Sequence, residues 1–117
     1  MVARAIEAAE NLATAGHDVA VLDLRWISPL DETALVEAVK KASGNVVILH
    51  EAVRTGGFAG EIAFGLSELL PDMSLNIRRV TTPDVRMPAA PPLQEALLPN
   101  VAKIEAVAKE VMGKRSK

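Results

Sequence analysis

The chain has 117 residues, Lys plus Arg 13 against Asp plus Glu 15, and a formal net charge of −2. That balance leaves no electrostatic footprint for nucleic acid or an anionic membrane, and 3% aromatics offer no stacking platform for single strands. Cysteine is absent, which excludes disulfides, thiolate metal sites and cysteine nucleophiles together.

Residues 2–15 (VARAIEAAENLATA) place Ile6, Ala9, Leu12 and Ala13 on one helical face, and Gly16 supplies the left-handed residue that ends a helix. Residues 18–25 (DVAVLDLR) form a β-branched run too short for a helix, which predicts a strand. Ser28 and Pro29 break it, and Asp31 is a good cap for a helix running to about residue 42 with Leu35, Val36 and Val39 inward. After a turn at Ser43-Gly44-Asn45, residues 45–50 (NVVILH) read as a strand buried on both faces, as in parallel sheets. A loop is expected over residues 51–60, then a helix over 61–70. Residues 76–80 (NIRRV) predict a more polar strand nearer an edge. A proline-rich loop, a helical turn at 93–97 and an Asn100-capped helix over 101–112 complete the pattern, leaving a frayed tail at 114–117. Alternating helices and strands mean a three-layer α/β/α domain with a mainly parallel sheet, one domain over residues 1–117. The oddity is the front. An α/β unit starts on a strand and this one starts on a helix, so the first strand is expected to be missing.

Three stretches can carry chemistry. The loop with His50, Glu51, Arg54, Gly56, Gly57 and Gly60 follows a strand end, where open α/β sheets bind ligands. Its glycines can admit an anion to backbone amides, His50 can move a proton, and Arg54 can clamp a carboxylate. The competing reading is a tight connection with His50 and Glu51 held in the scaffold. The spacing matches neither the Gly-Lys phosphate loop nor the dinucleotide fingerprint. In the second stretch Asp23 and Arg25 share a strand face, and Trp26 either anchors an interface or covers core. The third stretch runs from Thr81 to Pro88; it is stiff and carries Asp84, Arg86, Val85 and Met87, which suits docking or a rigid connector equally. His17 is an exposed turn residue. No nucleophile elbow occurs, and two histidines are too few for a metal site. No apolar run approaches the ~20 residues that span a bilayer, and no signal-peptide profile opens the chain. A soluble cytoplasmic protein is expected, or a mitochondrial-matrix one if eukaryotic.

The blocks VLDLRWISPLD, VVILHEA, TGGFAGEIA, RRVTTPDVRMP and LPNVAKI occur in that order. Together they resemble the C-terminal domain of the beta subunit of the decarboxylating component in 2-oxo-acid dehydrogenase complexes. The branched-chain (2-oxoisovalerate) type is most similar and the pyruvate type second; the wider fold is the transketolase C-terminal domain. The resemblance implies thiamine diphosphate and magnesium in the parent enzyme, held elsewhere, and no catalytic, cofactor or metal residue in this chain. It implies as partners the alpha subunit, a second beta subunit and the binding domain of the acyltransferase component, with self-association of the isolated chain. Docking candidates are Trp26, Asp84, Val85 and Met87, beside acids near the C-terminus. The basic end Lys-Arg-Ser-Lys departs from the family and leaves the terminal carboxylate without a role. The resemblance also places an absent strand between residues 18–25 and 45–50, with the rest of a longer subunit upstream of Met1. Direct closure of the first strand onto the second is the expected repair. The alternative to an assembly domain is a free-standing module that binds a small anion at the His50 loop.

Overall fold

The computed structural model describes residues 1–113, so the tail expected to fray lies outside the described residues. Helix α1 (Val2–Thr14) buries Ala8 and Leu12, whereas Ile6 and Ala13 of the expected apolar face are exposed, so the inward stripe is rotated from the one the spacing suggested. It stops where Gly16 takes φ +85°, with the amide of His17 donating to the carbonyl of Leu12 and that of Gly16 to Ala13. This paired closure satisfies carbonyls that the last turn leaves open. Helix α2 (Glu32–Lys41) begins as its cap predicts, the Asp31 carboxylate accepting from the Ala34 amide at 2.9 Å. It ends through the same paired closure, with Ser43 at φ 53° and the Gly44 amide on the carbonyl of Val39.

Strand β1 (Asn45–Val53), helix α3 (Phe58–Leu69) and strand β2 (Asn76–Thr82) form one crossover unit. The strands pair in parallel, Asn45 opposite Asn76 and Leu49 opposite Val80, with an irregularity before Val53 meets Thr82. Helix α4 (Pro91–Leu97) follows, then α5 (Val101–Gly113), whose first turn is capped by Asn100 accepting from the Lys103 amide at 2.9 Å.

Period-two alternation along β1 sends its apolar residues to both sheet faces. Val46 and Ile48 pack with Leu35 and Val39 of α2 and with Ala59, Ile62 and Leu66 of α3. Val47 and Leu49 pack on the other side with Ala8 of α1, Val80 of β2 and Ile104 of α5. Helices therefore cover both faces of a parallel sheet, and the three-layer α/β/α expectation holds.

Four further expectations need correction. Residues 18–25 are not a strand: among the described residues the sheet has two strands, β1 and β2. A strand is defined by its ladder partner, and β-branched composition cannot supply one. Leu24 alone of this stretch packs on the core, Val21 and Leu22 are about half exposed, and Arg25 takes φ 52°. For the same reason direct closure of this segment onto β1 does not occur; an isolated bridge joins Ile27 to Leu30 instead. The strand at residue 45 continues through Val53, because Glu51 and Val53 gain partners in β2 and its end. Helix α3 starts at Phe58 rather than 61, because Gly57 at φ −75° and ψ 151° serves as its first flanking residue.

Candidate functional site

Parallel strands end together, so the loops after Val53 and Thr82 meet at one end of the sheet. Both loops carry residues singled out above. The meeting is made by Thr55 and Asp84, where the Asp84 carboxylate accepts from the Thr55 amide and hydroxyl, each at 2.7 Å. These two bonds, and more weakly the Arg54 charge, hold the Asp84 carboxyl below its ordinary range. Thr82 reinforces the junction, its hydroxyl donating to the Glu51 carbonyl at 3.1 Å.

His50 sits under the start of α3. Its Nε2 accepts from the Ala59 amide at 3.2 Å, and the Ala52 amide lies 3.3 Å from Nδ1. A neutral imidazole has one in-plane lone pair, so only one of these contacts is a full hydrogen bond at a time. The shorter one caps the first turn of α3, taking an amide that no cap side chain satisfies. The ring thus has a scaffold role available to it, as the plainer sequence reading held. Gly57 makes the approach possible: a Cβ there would lie 2.2 Å from the Val53 carbonyl and 3.1 Å from Nε2. Gly56 takes φ 72°, the left-handed region that favours glycine.

The remaining candidates scatter. The Glu51 carboxylate turns away toward the backbone nitrogen of Met1, 3.5 Å distant. Asp23 and Arg25 do pair, at 3.4 Å, but from an irregular segment outside the sheet. Trp26 is 73% exposed, which overturns the alternative that it covers core. Val85 and Met87 are also exposed, on the stiff connector after β2, whereas Trp26 stands on the connector between α1 and α2.

One cluster was not foreseen. Arg54, Arg78 and Arg79 line a shallow cleft of about 550 Å³ beside β2, over Ile77 and Val107. Two adjacent arginines in a strand read only as edge polarity in the sequence. The sharper signal was available: consecutive strand residues point to opposite faces, so such a pair straddles the edge.

Residues 1–104 match the family described as transketolase, C-terminal domain. The chain is 37% identical to the 2-oxoisovalerate dehydrogenase subunit beta of Bacillus subtilis, over 92% of this chain and 33% of that protein. It is 33% identical to the acetoin:2,6-dichlorophenolindophenol oxidoreductase subunit beta of Cupriavidus necator, over 96% of this chain and 33% of the other. Pyruvate dehydrogenase E1 component subunit beta of Rhizobium meliloti is 36% identical over 92% of this chain and 23% of the relative. A solved structure described as split gene transketolase, inactive beta4 tetramer, superposes at a TM-score of 0.80 with 27% identity. That match covers 96% of this chain and 36% of the other. The chain spans about a third or less of these relatives' lengths.

Proposed function

The chain belongs to the transketolase C-terminal domain family, and from that premise we propose that it is the assembly and partner-docking domain of a thiamine-diphosphate-dependent 2-oxo-acid dehydrogenase beta subunit. It is one domain of a longer polypeptide, and the chemistry of oxidative decarboxylation resides elsewhere in the parent enzyme. The branched-chain, 2-oxoisovalerate type is the proposed parent, supported by the 37% identity to a subunit of that name. The alpha subunit, a second beta subunit and the acyltransferase component's binding domain are the proposed partners.

The observation that carries the reading is Trp26, 73% exposed on the long connector between α1 and α2, in a chain with only three aromatic residues. A large indole left in water costs burial that a partner surface can restore, and tryptophan is a common anchor at interfaces. Val85 and Met87, exposed beside Asp84 on the connector after β2, are a separate candidate for docking. The loop of His50, Glu51, Arg54, Gly56 and Gly57 supports a second reading, a small-anion module, because Gly56, Gly57 and Arg79 border one surface hollow.

Two measurements test the proposal. Titration calorimetry of the chain with thiamine diphosphate and magnesium gives no saturable heat; micromolar binding overturns the non-catalytic role. Sedimentation velocity shows association of the chain with itself and with the alpha subunit, and Trp26→Ala weakens it by about 2 kcal/mol. A monomer at high micromolar concentration that ignores the alpha subunit overturns the assembly role. Orthophosphate binding that requires Arg54 and Gly57, in such a monomer, favours the second reading instead.

A further inference from the structure

We propose that the cleft beside β2 is a docking groove for an acidic, partly apolar polypeptide segment of a partner protein, read by Arg54, Arg78 and Arg79. The inference rests on the assembly reading and names the chemistry of one partner surface.

The groove runs along the outer edge of β2, between α3 and α5, with Ile77 and Val107 in its lining. Three guanidinium groups border it, against one acid, Glu110, which pairs with Arg78 at 3.4 Å. Among the described residues no carboxylate stands at ion-pair distance from Arg54 or Arg79. A concentration of positive charge in a chain of net −2 is a local arrangement rather than a trait of the whole surface.

Two of the three groups are already fixed in place. Arg79 Nη1 donates to the Arg54 carbonyl at 3.2 Å, and its guanidinium reaches within 3.4 Å of where a Gly60 Cβ would stand on α3. Arg78 Nη1 donates to the Ile77 carbonyl at 2.9 Å. Each guanidinium has five N–H donors in a rigid fork, so one backbone bond orients it and leaves others to face a ligand. Less rotamer entropy is then lost when a carboxylate arrives.

The spread of the charges selects the ligand class. Arg78 and Arg79 straddle the strand, one tied toward α5 and the other toward α3, so they do not converge on a single point. A lone phosphate meets one guanidinium at a time. Carboxylates spaced along a peptide meet several, while an apolar residue between them covers Ile77 and Val107. Strand addition is the weaker mode of docking, because the Ile77 carbonyl is already occupied by Arg78.

The experiment uses the full chain and a short fluorescent peptide of glutamates interrupted by leucines, with a glutamine counterpart as control. Anisotropy titration gives saturable binding of the glutamate peptide that weakens with salt, as charge-assisted contacts require. Arg54→Gln and Arg79→Gln each lower affinity about tenfold, the worth of one charge-assisted bond. Arg79→Lys recovers part of the loss, and Arg25→Gln, outside the groove, changes nothing. Circular dichroism verifies folding, and Arg54→Gln protects the test should Arg79→Gln unfold, because among the described residues the Arg54 guanidinium makes no hydrogen bond or ion pair that holds the scaffold.

No binding of the glutamate peptide, equal binding of the glutamine peptide, or an equal loss in Arg25→Gln overturns the proposal. So does tight binding of inorganic tripolyphosphate without binding of the peptide, which marks a small-anion site. The two readings fail separately. Peptide binding by a chain that ignores the alpha subunit leaves the groove standing and removes the assembly role; assembly without arginine-dependent peptide binding does the reverse.

Discussion

Asp84 accepts two bonds from Thr55, so removing its charge releases the loop after β1 from the loop after β2. Its folded-state carboxyl is held low chiefly by those bonds. A depressed carboxyl contributes stability that is present above its unfolded pKa and lost as pH falls through the folded one. The junction is therefore intact at neutral pH and loosens only below the usual carboxylate range. Carbon-detected NMR titration reads this directly: the Asp84 midpoint rises toward the ordinary value in Thr55→Val. Glycines make a second contrast at this scale. Gly57→Ala drives a Cβ into the Val53 carbonyl and destabilises by about 1–3 kcal/mol, whereas Gly65, inside α3 with open space around it, gains about 0.5–1 kcal/mol on becoming Ala. Thermal melts of the two variants move in opposite directions, and matching shifts refute the contact argument.

Helices α2 and α5 begin at side chains that can be read locally. Asp31 and Asn100 each accept from the amide three residues on, and replacing either with Ala costs about 1 kcal/mol in chemical denaturation. Such caps were legible because donor and acceptor lie within one turn of sequence. So was the closure at Gly16, where a left-handed residue ends the helix, whereas α2 closes on Ser43 at φ 53°, a position the sequence marked only as part of a turn. Residues 18–25 were not legible, because strand character belongs to a pair and composition describes one member. The start of α3 was missed for a related reason. Three glycines suggested loop, yet Gly60 lies within the helix where it admits the Arg79 guanidinium. The site divides the same way: the loops were found by position after a strand, while the arginine groove depended on which way neighbouring side chains project. The two sheet edges differ too. The outer edge of β2 carries arginines, whereas residues 46–49 of β1 are all apolar. Charged borders discourage strand pairing, so β1 is the edge at which added chain pairs more readily.

The molecule is two apolar clusters separated by a thin sheet, one with α2 and α3, the other with α1 and α5. Ile62 belongs to the first and Ile104 to the second, with no shared packing partner between those groups. Ile62→Val and Ile104→Val each cost about 0.5–1.5 kcal/mol, and the double variant equals their total within about 0.5 kcal/mol. A larger coupling in denaturant melts shows that the sheet transmits strain between its faces. The second cluster also joins the extremes of the chain. Arg4 reaches Glu95 and donates to the Pro99 carbonyl, and the Asn11 amide donates to Glu105, so α1 and α5 run side by side in the same direction. Partners separated by more than ninety positions meet late during translation. At about 5–20 residues per second, the first helix leaves the ribosome several seconds before the last one exists. Throughout that interval its stripe of Ala8 and Leu12 faces solvent or a chaperone. A nascent chain arrested before residue 101 is accordingly cleaved by protease within α1, and one released after residue 113 is protected there.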